Sequence, residues 1–152
     1  MGISEEESLL KYRLAPLKLR RDIGMLGVIQ RSVIGEGPHQ FNKFFVRKAA
    51  PSRPHGREAV RRHDKQLETH RNGRFLDIMS KSVLGLVDIY NLVPQFIVNA
   101  TTVSEFQKRL QILTMELAET GTPGWQDLYS PRNTIWNHKL REMQDWSRRT
   151  QK

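Results

Sequence analysis

Between Thr102 and Gly121 the chain carries the pattern that constrains it most: Val103, Phe106, Leu110, Leu113 and Leu117 recur at intervals of three and four residues. Those intervals align the five side chains along one stripe of a 3.6-residue helix, whereas a half-buried strand would repeat every second residue. Thr102 stands at the N-cap position, and Glu105 three residues later completes a capping box. In that motif a hydroxyl and a carboxylate accept from N–H groups that the first turn leaves open. Gly121 and Pro123 end the helix. An amphipathic helix has to bury its stripe against another element, so the remainder of the chain must supply one.

The best candidate lies from Leu17 to Ile34, where Leu19, Ile23, Leu26, Ile29 and Val33 share a helical face. Gly24 and Gly27 weaken this helix by roughly 1 kcal/mol each relative to alanine, which predicts compensation by close packing. Gly35, Gly37 and Pro38 stop it. Phe41, Phe44 and Phe45 follow in a short segment predicted to place its rings in the core rather than on a base-stacking surface. Val83, Leu86, Val87 and Tyr90 mark another short helix, stopping before Pro94. Ser130 and Pro131 open a last one with Trp136, Leu140, Met143 and Trp146 on one side. No segment alternates with period two and no internal repeat is present, so the fold class is all-α, an irregular small array of about five helices.

Between the two helical groups, Arg47 to Arg74 holds nine basic and three acidic residues with Pro51 and Pro54. It is predicted to be a basic, partly disordered linker outside the core. The organisation is therefore an N-terminal segment (1–16), a first helical half (17–46), the linker (47–74) and a second helical half (75–152). Lys and Arg outnumber Asp and Glu by 25 to 16, a net charge of +9, which favours polyanionic partners, RNA or DNA, contacted mainly through phosphates. Arg57, Arg61, Arg62 and Lys65 in the linker are the chosen phosphate contacts, with Arg20 and Arg21 in the first helix. Lys18, Arg31, Lys108 and Arg109 are flanking cations of the same kind.

The chemistry of catalysis is missing from the pattern. The absence of cysteine removes disulfides, thiolate nucleophiles and Cys-containing zinc knuckles. His63 and His70 are seven residues apart and no histidine pair has helical spacing of three or four, so no metal site is expected and the histidines read as solvated. Gly35-Glu36-Gly37 follows a helix rather than a strand and lacks the remaining glycine of a dinucleotide loop. No cofactor is expected. Glu5, Glu6 and Glu7 stand where a secretory signal needs basic and apolar residues, and no apolar run approaches the roughly 20 residues of a membrane helix. The expectation is a nuclear or cytoplasmic protein, neither secreted nor membrane-bound.

Two stretches are similar to the C-terminal, post-polymerase region of LINE-type (non-LTR retrotransposon) reverse transcriptases. The run Leu17-Lys18-Leu19-Arg20-Arg21-Asp22-Ile23-Gly24-Met25-Leu26-Gly27-Val28-Ile29, with Gly35 after it, resembles the family's apolar, double-arginine helix. Tyr90-Asn91-Leu92-Val93-Pro94, continuing through Val98, the capping Thr102 and Phe106 to Leu110, resembles its C-terminal pattern. Tyr90 stands where tryptophan is common, and the order Leu92-Val93-Pro94 departs slightly from the usual one. The resemblance implies a domain appended to a polymerase that helps it hold template RNA or target DNA, with the reverse-transcriptase core as partner if the chain belongs to a longer polyprotein. The polymerase's aromatic-Asp-Asp motif and the endonuclease are absent, so no catalytic residue carries over. The expected function is a non-catalytic, nucleic-acid-associated accessory domain. A helical protein-interaction or scaffold module, or a non-functional retroelement remnant, is the alternative.

The stripe gives a direct test. Leu113→Asp would bury an unpaired carboxylate and is expected to cost about 4 kcal/mol or more. A variant melting within about a degree of the parent would show that the stripe is not buried.

Overall fold

The structure, a computed structural model, describes residues 2–49, 63–69, 79, 81–130, 138–141 and 143. Its α-helices are α1 (Glu5–Tyr12), α2 (Leu17–Val33), α3 (Val87–Leu92), α4 (Gln95–Val98) and α5 (Val103–Glu119). Short 3-10 turns lie at His39–Lys43, Val83–Leu86 and Trp125–Asp127. The fold is all-α, and the described residues contain an isolated antiparallel bridge, Arg47 to Leu67, but no strand. Among them no helix is long and apolar enough to cross a membrane.

Local chemistry fixes both long helices. Thr102 Oγ1 accepts from the Glu105 N–H at 3.2 Å and opens α5. The Glu105 carboxylate reaches back to the N–H of Thr101, at 3.1 Å, one residue earlier than a standard capping box. Both α2 and α5 end in a Schellman motif. Glu36 N donates to Arg31 O and Gly35 N to Ser32 O, while Thr122 N donates to Leu117 O and Gly121 N to Ala118 O. Gly35 (φ 84°) and Gly121 (φ 63°) supply the left-handed residue that each motif requires. The helix α1 is opened by Ser4, whose Oγ accepts from Glu7 N at 3.0 Å.

The centre of the fold is α2 against α5. Gln111 on α5 donates to Arg13 O just before α2, Gln107 lies against Gly27 in mid-helix, and Val98 just before α5 meets Gln30 near the end of α2. The two helices therefore run antiparallel. Leu19, Ile23, Leu26 and Ile29 from α2 and Phe106, Leu110 and Leu113 from α5 are buried, with Val33 and Leu117 partly buried beside them. Around this pair α1 packs on α5, the Val83–Leu86 turn and α3 pack on α2, and the Trp125–Asp127 turn touches both long helices. Trp125 and Tyr129 close the core at that end, Tyr129 donating from its hydroxyl to Leu110 O at 2.8 Å.

Several expectations need correction. Of the three phenylalanines, Phe45 is buried and Phe41 partly so, meeting at 6.2 Å edge to face. Phe44 is exposed, with the Lys43 ammonium over its ring. The segment 47–74 is not simply outside the core: Leu67 is fully buried, and Lys48 N to Gln66 O (2.8 Å) and Glu68 N to Val46 O (2.9 Å) flank the bridge. The Asn91 side chain holds Leu67 at both ends, accepting from its N–H and donating to its carbonyl, each at 2.8 Å. His63 is buried rather than solvated, its Nε2 donating to Tyr90 O at 3.0 Å and its Nδ1 accepting from Lys65 N at 3.1 Å. His138 is buried as well, and Leu140 and Met143 pack on the core as their spacing suggested. His39 is exposed, whereas His55, His70, Trp136 and Trp146 lie outside the described residues.

The two helical glycines have different surroundings. A methyl group built on Gly27 would overlap the Gln107 side-chain amide, so the expected close approach exists there. Gly24 has open space where its Cβ would stand. Gly24→Ala is therefore expected to stabilise the fold by about 0.5–1 kcal/mol through helix propensity alone. Gly27→Ala should forfeit that gain by displacing Gln107. Urea denaturation of the two variants tests this, and equal effects would contradict the difference in packing.

Candidate nucleic-acid interface

The cations of the first turn of α2 stand against elementary helix electrostatics. A helix N-terminus carries partial positive charge and favours anions, yet the first turn of α2 has no acidic residue and its N-cap, Pro16, offers no side-chain hydrogen bond. Lys18, Arg20 and Arg21 crowd that end instead. All three are exposed.

The structure sorts these cations by what they touch. Lys18 pairs with Asp127, and Arg109 pairs with Glu105 one turn earlier and also donates to Phe96 O. Arg47 donates to Val33 O at 3.1 Å. Lys65, one of the chosen phosphate contacts, is half-buried and donates from Nζ to Val98 O at 2.9 Å, so its ammonium helps anchor the end of α4. Arg57, Arg61 and Arg62 lie outside the described residues. Arg20, Arg21, Arg31 and Lys108 remain, and among the described residues none of these side chains makes an ion pair.

Arg20 and Lys108 line one groove. It runs between the antiparallel α2 and α5, has a volume of about 350 Å³, and is lined by Ala15, Ile23 and Gly24 together with Arg20 on one side and Ser104, Gln107, Lys108 and Gln111 on the other. The uncapped N-terminus of α2 lies beside Ala15 at one end, where its partial charge adds to that of Arg20. The other helix N-terminus, that of α5, is already neutralised by Thr102 and Glu105. Arg21 does not line the groove. The sequence showed Lys108 only as a flanking cation, because the partnership of α2 and α5 has to be known before Lys108 and Arg20 are seen to face a common space.

Among the described residues no cluster of three His, Asp or Glu side chains could hold a metal ion. The residue that sequence reasoning passed over is Asp22. It is buried, its Oδ2 has no hydrogen-bond partner among the described residues, and it faces Lys18, Arg21 and Asp127. Burial pushes its carboxyl up to about 6, against the pull of Lys18 and Arg21, with Asp127 adding to the rise. Burial holds His63 down at about 4, against the pull of the Tyr90 carbonyl. No family model, curated protein or solved structure matches the chain.

Asp22 and His63 act on stability in opposite directions. The unfolded chain protonates His63 near 6.5 and the folded chain only near 4, so that contribution is present above 6.5 and is lost as pH falls through this window. Asp22 titrates near 3.8 unfolded but about 6 folded, so acidification from 6 towards 4 relieves a buried charge and stabilises. The two nearly cancel in the parent. Asp22→Asn is expected to be more stable at pH 7, by on the order of 2 kcal/mol. Between pH 6 and 4 it should also lose stability more steeply than the parent, by about 1.4 kcal/mol per pH unit. Parallel stability-against-pH curves for the two proteins, from urea titrations, would contradict this pairing.

Proposed function

We propose that this chain is a non-catalytic module that binds the backbone of RNA or DNA through the α2–α5 groove, with Arg20 and Lys108 as phosphate contacts. The observation that carries the reading is that Arg20 and Lys108, neither in an ion pair, line one groove from different helices, while Lys18, Lys65 and Arg109 are bound to carboxylates or carbonyls. The net charge of +9 supplies the long-range attraction. Arg21 and the linker arginines Arg57, Arg61 and Arg62 are secondary contacts in this proposal.

The resemblance to the C-terminal region of LINE-type reverse transcriptases supports the same reading. Its two stretches correspond to α2 and to the segment from α3 into α5, which pack on each other and share the Gln30 hydrogen bonds. On this proposal the natural context is a reverse-transcriptase core in the same polyprotein, with the groove holding template or target. A protein-interaction role is the second reading, favoured by the exposure of Tyr12, Leu14 and Leu17 around the start of α2.

Binding of a fluorescent oligo(dT) in a salt series tests the proposal. Each phosphate neutralised on a single strand contributes about −0.7 to the slope of log affinity against log salt. Arg20→Gln with Lys108→Gln is expected to flatten the slope by about 1.4, while Arg31→Gln with Lys43→Gln, equal in charge but away from the groove, should leave it near the parent value. Undetectable binding by the parent at low salt, or equal slopes for the two double variants, would overturn the assignment.

A further inference from the structure

Taking the groove as the nucleic-acid site, we propose that it selects single strands over duplexes by admitting one unstacked nucleotide between α2 and α5, its phosphate held by Arg20 and Lys108. The volume, about 350 Å³, is at the small end of ligand-sized recesses and suits one nucleotide unit rather than a side of a duplex. The two cations project from different helices on opposite walls, so a strand entering between them meets both. A duplex presents its phosphates on the outside of a wide cylinder and keeps its bases stacked inside.

The lining is mismatched to phosphate alone. A phosphodiester only accepts hydrogen bonds, yet the wall beside Lys108 presents Ser104, Gln107 and Gln111, groups that accept as well as donate. Base edges provide both functions. Opposite them lie Ala15 and Ile23, both apolar, and Gly24, whose missing side chain leaves open space. Sugar and base can lie in that space only when they have left a helical stack. Among the described residues no aromatic ring lines the groove, so its walls offer hydrogen bonds rather than stacking and little preference among bases follows.

Filling the groove without touching its charge is the test. Gly24→Leu projects a side chain into the open space while keeping Arg20 and Lys108 and raising the helix propensity of α2, and Ser104→Leu fills it from the α5 wall with the Thr102 cap intact. Each variant is first checked for a cooperative thermal melt no lower than the parent's. The probes are a fluorescent oligo(dT), the matching oligo(U), and a DNA duplex of the same length. The expected result is a parent that favours the single strands, and filled variants that lose about tenfold in affinity for them, with duplex binding within about twofold of the parent. Equal losses on single strand and duplex, no loss on either, or a parent that prefers the duplex would overturn the proposal. Unaltered binding by both filled variants, together with a flattened salt slope in the Arg20 and Lys108 double variant, would remove single-strand selection and leave phosphate binding standing.

Discussion

The buried amide of Gln30 fixes where everything else sits. Its Oε1 accepts from the Tyr90 hydroxyl at 2.7 Å and its Nε2 donates to Val98 O at 3.2 Å, so one side chain on α2 satisfies polar groups from the end of α3 and the end of α4. Apolar contact alone tolerates sliding, because a methyl group gains about as much from one neighbour as from the next. An amide in a water-free interior does not, since any slip leaves two buried groups without partners at roughly 1–3 kcal/mol each. Val98 is only a few residues ahead of the Thr102 cap, so setting it against Gln30 also sets the register of α5 on α2. The groove inherits its shape from that register.

A second polar layer, buried at His63 and open towards Asp64, extends the first. His63 stands edge-on to Tyr90 at 5.4 Å, Lys65 reaches the same Val98 carbonyl that Gln30 uses, and Gln95 both accepts from Asp64 N and donates to its carboxylate. Residues from the basic segment thus complete the hydrogen bonding of the α3–α4 corner, and a charge that reads as available for a partner is occupied within the fold. Arg20 differs because it has no such neighbour. Placing cations at the positive end of a helix works against stability, and a local rule broken without a compensating contact is where function is most reasonably sought.

Legibility in the sequence followed periodicity. The helices α2 and α5, their caps and their glycine stops were readable because each rests on residues within a few positions of one another. The buried stripe of Leu19, Ile23, Leu26 and Ile29 followed from the same spacing. What escaped was polar and long-range. Neither Gln30 nor His63 has a local signature of burial, because hydrophobic patterning treats both as surface residues, and Asp22 looked like one more charge among Lys18, Arg20 and Arg21. Phe44 was misplaced because three closely spaced rings cannot all face inward from one short turn. The groove itself was illegible, since Lys108 and Arg20 become neighbours only through tertiary pairing, although each had been marked as a cation of interest.

The distance along the chain between the partners of the central contacts has a kinetic consequence. Gln30 and Val98 are 68 residues apart, and Gln111 and Arg13 are 98. Helical proteins commonly fold fast because their contacts are local, but here the core exists only after a loop of most of the chain has closed. The cost of closure grows only logarithmically, by about 0.6 kcal/mol for each doubling of loop length. The chain thus combines a high helical content with the slow assembly of a non-local topology, a pairing that its helices alone would not suggest.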